Sequence, residues 1–93
     1  MRPAEAGVWV FHGTGGHFAS GVFSSKQTAE QWIERHGLSG VLTLYPLDTG
    51  VYEWSLENRS FTPKKPEHTQ AAFIQKFSSA SQDHYHYENG EEG

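Results

Sequence analysis

The 93-residue chain predicts an α+β fold, an antiparallel sheet of about four to six strands with two helices on one face, in the order ββαββ(β)αβ. Three observations predict it. Short stretches rich in Val and aromatics recur, "GVWVFHG", "GVFSS" and "SGVLTLYP", and these suit pleated, half-buried strands. One longer stretch, "SSKQTAEQWIERHG", changes to a helical period. Glycine-rich or proline-bearing segments separate the elements at the spacing of turns.

Taken in order, "MRPAEA" is a polar lead-in, so residues 1–6 are expected to be mobile. Gly7 to His12 reads as a central strand, "GTGG" as a turn whose glycines permit positive φ, and "HFASGVFSS" as the returning strand of a hairpin, with Gly21 a candidate bulge. The next stretch is a helix. Ser24 or Ser25 caps it, Ser24 and Gln27 having capping-box spacing, and Gly37 supplies a left-handed C-terminal cap. Ala29, Trp32, Ile33 and His36 fall on one face of that helix.

A second hairpin follows. Val41, Thr43 and Tyr45 alternate with Leu42 and Leu44, "PLDTG" turns, and "VYEWSLE" returns with Tyr52, Trp54 and Leu56 on one side. Pro66 and Glu67 then suit the first turn of a second helix carrying Phe73 and Phe77, ending near residue 79 at "SSAS". "HYHY", residues 84–87, closes the sheet as a strand, and "NGEEG", residues 89–93, is expected to be a mobile tail. Everything between belongs to one domain, 1–93, because a chain this short has room for a single core.

Composition excludes several functions. Cysteine is absent, so no disulfide or thiolate site is available. No apolar run is long enough for a membrane span and no secretory leader is evident, which makes the cytoplasm the default compartment and a membrane partner unexpected. The formal net charge is −4 and Lys64-Lys65 is the one local basic pair, so nucleic acid is not an expected partner either.

Few motifs carry chemistry. "HGTGGH" lacks the Gly-Lys-Ser/Thr entry into a helix that a phosphate loop needs, and it enters a strand instead. The hydrolase nucleophile elbow is missing. In "HYHY", His84 and His86 share one side of a strand while Tyr85 and Tyr87 share the other. Period-2 alternation accounts for that pattern with the tyrosines on the core and the imidazoles outward. The alternative expectation is a zinc site or a small histidine-based enzyme built from His12, His17, His84 and His86. Otherwise no cofactor and no catalytic residues are expected.

Taken together, "VWVFHG", "GVFSS", "AEQWI", "LSGVLTLYP", "GVYEW" and "HYHYENG" resemble a family of small single-domain bacterial proteins with no assigned activity. The resemblance spans roughly residues 8–90. It implies the fold and a bacterial setting, and it brings no catalytic or binding residues with it. Small acidic proteins of this kind often serve beside toxin systems or in defence loci, which implies an immunity-like or regulatory role.

The aromatic content, 14%, exceeds what one face of a small sheet easily hides. Aromatic side chains dominate binding hot spots, and an acidic surface steers basic partners. The expected function is therefore a protein-binding module that occludes a basic protein partner. Its face would carry Trp9, Tyr45, Tyr52 and Trp54 with Asp48 and Glu53.

Overall fold

A computed structural model describes residues 7–93, so the expectation of a mobile segment 1–6 lies outside the described residues. The chain divides into two compact units, residues 7–47 with Gln82–Gly93, and Asp48–Ser81.

The first unit holds the sheet. Strands β1 (Gly7–Gly13), β2 (Gly21–Phe23), β3 (Gly40–Pro46), β4 (His84–Glu88) and β5 (Glu91–Glu92) form one five-stranded sheet in the order β2-β1-β3-β4-β5. Every neighbouring pair is antiparallel. The α+β class and strand count are those the sequence predicts. β2 is shorter than expected, because residues 14–20 form a loop rather than extended strand. Gly21 is not a bulge: it pairs in register with Phe11, and a Cβ there would come within 2.7 Å of the Phe23 ring.

Directly opposed residues of antiparallel strands share a face, so the register assigns each side chain. Trp9 pairs with Phe23 and Leu44, and Phe11 with Leu42, which in turn pairs with Tyr85. That face meets α1 (Lys26–His36), whose Ala29 and Ile33 are fully buried with Phe11, Leu42 and Tyr87 in one core. Trp9, Phe23, Trp32, Leu38 and Tyr85 pack around it. The opposite face carries Val8, Val10, His12, Val41, Thr43, Tyr45, His84 and His86. β4 thus obeys its alternation: the tyrosines turn to the helix-covered core, and His84 and His86 are exposed.

The caps of α1 explain its limits. Ser25 is extended and its Oγ accepts from the Thr28 amide at 3.1 Å, one residue later than the Ser24–Gln27 spacing suggests. Gly37 ends the helix in the left-handed conformation at φ 63. Its amide donates to Glu34 and that of Leu38 to Ile33, closing the last carbonyls.

The second unit corrects the sequence reading. "VYEWSLE" is not a return strand but helix α2 (Val51–Glu57). A strand would bury Trp54 alongside Tyr52; instead Tyr52 and Ser55, three apart, are the buried pair, which is helical spacing. Glu53 in the first turn suits that helix N-terminus. The second predicted helix is broken at Gln70, whose ψ of 155 is extended. A 3₁₀ turn, Pro66–Thr69, precedes it, and a single turn of helix, α3 (Ala71–Ile74), follows. Tyr52, Phe61, Phe73 and Phe77 cluster with centroid distances of 5.0–6.4 Å. The Tyr52 hydroxyl donates to the His68 carbonyl at 2.8 Å, and the His68 ring lies 4.7 Å from that of Phe73.

Residues 89–93, expected as a tail, form a turn and a short strand. Asn89 and Gly90 both have positive φ, 52 and 87, as a two-residue hairpin turn of the primed type requires. β5 pairs back on β4, with Glu88 opposite Glu91 and Tyr87 opposite Glu92.

Candidate functional site

The β4–β5 hairpin folds against the C-terminal half of α1. Its turn is fixed by the Gly90 amide, which donates to the Leu38 carbonyl at 2.8 Å. Gly90 is required there, because a Cβ would sit 3.1 Å from the Gly37 Cα and 3.4 Å from the Glu34 backbone. On α1, Glu30 and Glu34 lie four apart and project from the same side. Glu91 and Glu92 come from β5. With Tyr87 and Gly90 these four carboxylates line an open cleft of about 280 Å³.

The cleft is electrostatically one-sided. Among the described residues the ion pair is Lys26 with Glu30, at 3.5 Å, on adjacent turns of α1. The Lys26 ammonium also lies 3.7 Å above the Tyr85 ring, a cation–π arrangement. The Tyr87 hydroxyl donates to Glu30 Oε2 at 2.5 Å. Burial first, and then that hydrogen bond and the charge of Glu30, push the Tyr87 hydroxyl well above the ordinary phenol range. It is therefore a fixed donor, unsuited to proton transfer near neutral pH. Glu34, Glu91 and Glu92 have no basic side chain within ion-pair distance among the described residues.

The six residues expected to form a binding face do not share one. Trp9 lies on the helix-covered face, its ring 6.1 Å from Tyr85. Tyr45 is half-buried on the opposite face, paired with Val8. Tyr52 is buried because it is the centre of the aromatic cluster of the second unit. Asp48 and Glu53 are exposed and Trp54 is half-buried in that same unit.

The four histidines do not converge either. The His12 Nε2 is engaged with the Gly16 carbonyl at 2.6 Å, and His17 stands exposed in the loop after it. His84 and His86 are neighbours, their rings 5.3 Å apart. Among the described residues no three or more of His, Asp and Glu are placed to hold a metal ion together. The expected four-histidine zinc centre is thus not assembled, since β3 stands between β1 and β4 and the His12 ring is drawn toward its own loop. The residues that sequence reasoning missed are Glu30, Glu34, Glu91 and Glu92. Their signal was the dipeptide Asn89-Gly90, a strong hairpin marker, which folds the acidic end onto α1.

This chain belongs to the DUF7710 family. The family is described as a domain of unknown function, and its model matches residues 8–93. No curated protein and no solved structure matches the chain. The DUF7710 match takes in the sheet from Val8 onward, α1 and the acidic hairpin, and agrees with the expectation of a small family without assigned activity. Among its described residues no helix is long and apolar enough to cross a membrane.

Proposed function

We propose that this protein is a small protein-binding module that receives a basic partner at the cleft between α1 and the β4–β5 hairpin. The observation that supports it is the clustering of four glutamates around one opening with a single lysine in attendance. Carboxylates gathered around one opening attract cations more strongly than scattered surface charges do. A lysine or arginine side chain of a partner would neutralise them. Binding there would occlude the partner in an immunity-like or regulatory role. The setting proposed with it is bacterial, from the resemblance drawn above, and cytoplasmic, as the default compartment.

Co-purification with the product of the neighbouring gene tests the proposal, comparing wild type with the Glu34→Lys, Glu91→Lys double variant. The expected result is a basic protein retained by the wild type, released by moderate salt, and lost from the variant. Equal retention by both, or retention insensitive to salt, would contradict it.

A further inference from the structure

On the face of the sheet opposite α1, away from the acidic cleft, His84 and His86 stand two residues apart on β4 and both are exposed. From their geometry we propose a two-histidine site for a divalent transition-metal ion of the copper, nickel and zinc class. Period-2 alternation puts both imidazoles on one side of the strand. Their centroids are 5.3 Å apart and the rings are inclined at 79°.

That spacing fits chelation. A metal 2.0–2.1 Å from an imidazole nitrogen lies roughly 3.2 Å from the ring centroid, so two ligands at angles from 90° to tetrahedral need centroids about 4.5–5.3 Å apart. The observed separation is at the tetrahedral end of that range. One ligand is already oriented. His84 Nδ1 lies 2.8 Å from the Gln82 carbonyl, which can only accept, so Nδ1 carries the proton and the Nε2 lone pair is left to bind. A carbonyl holding the far nitrogen is the usual support of a metal-ligating histidine. Because no third protein ligand joins the pair among the described residues, water completes the coordination. Imidazole donors of this kind favour Cu²⁺ over Ni²⁺ and Zn²⁺.

The test is calorimetric titration of the untagged full chain with CuCl₂, NiCl₂ and ZnCl₂ near neutral pH, with His84→Gln, His86→Gln, the double variant and His17→Gln. Both target histidines are exposed, and circular dichroism checks that each variant keeps its fold. One Cu²⁺ per chain is expected. Either single variant should weaken binding by at least about tenfold, the double variant should abolish it, and His17→Gln should leave it unchanged. Amide resonances of residues 84–86 should broaden first on adding Cu²⁺ to labelled protein. Unchanged affinity in the double variant, an equal loss in His17→Gln, or broadening centred on the loop of residues 14–20 would overturn the assignment.

Discussion

Replacing Tyr87 by Phe removes one hydroxyl and keeps the ring that fills the core between β4 and α1. In the wild type that hydroxyl donates to Glu30 Oε2 at 2.5 Å, from a residue only 7% exposed. A hydrogen bond to a charged acceptor contributes about 1.5–3 kcal/mol. The Glu30 side chain is 36% exposed and keeps Lys26, so water recovers part of its solvation and the expected loss falls to about 1–2 kcal/mol. The pH dependence follows from the raised value of the phenol. The folded state holds this proton more tightly than the unfolded chain, whose phenol ionises around the ordinary value of 10.0. The contribution is therefore complete below that pH and is lost as pH rises through the higher folded value. Urea unfolding at neutral pH and at about pH 10.5 should show Tyr87→Phe less stable at neutral pH and the gap narrower in alkali. A urea midpoint equal to that of the wild type at neutral pH, with parallel losses in alkali, would refute the reasoning.

Three further perturbations probe the frame. Gly90→Ala forces a Cβ to 3.1 Å from Gly37 at a residue with φ 87, and should cost about 1–2 kcal/mol. Faster amide exchange at Gly90 and Gly93 would accompany it, and unchanged exchange would contradict the turn's role. Ser55 is fully buried and its hydroxyl finds no hydrogen-bond partner among the described residues. Ser55→Ala should thus be neutral or raise stability by up to about 1 kcal/mol, and a clear drop in melting temperature would show a hidden partner. In the second unit, His68 Nδ1 accepts from the Lys64 amide at 3.0 Å while its ring packs on Phe61 and Phe73. His68→Ala should speed hydrogen exchange at Lys64 at least about tenfold, an effect absent if that amide is protected by other means.

The sequence was most legible where pattern and burial agree. "HYHY" could satisfy period 2 in only one productive way, and Tyr87 entered the core as its alternation requires. α1 was legible from its capping serines, its Ala29–Ile33 face and Gly37. "VYEWSLE" misled because seven residues are too few to separate a period of 2 from 3.6. Both patterns bury Tyr52, and only the fate of Ser55 and Trp54 distinguishes them. The aromatics are hard to place for a related reason: their number exceeds one sheet face, and composition does not say which of them pack together. Tyr52 and three phenylalanines instead form a cluster within the second unit. The acidic cleft was hidden because Glu30 and Glu34 are distant in sequence from Glu91 and Glu92. Only the Asn89-Gly90 turn brings the two pairs together.

The cleft's role is tested most directly by amide chemical-shift mapping of the labelled chain as the neighbouring gene's product is added. The proposal predicts the largest changes at Glu34, Gly90, Glu91 and Glu92, shrinking as salt is raised. Changes centred instead on the exposed Phe18 and Val22, with those glutamates undisturbed, would contradict it.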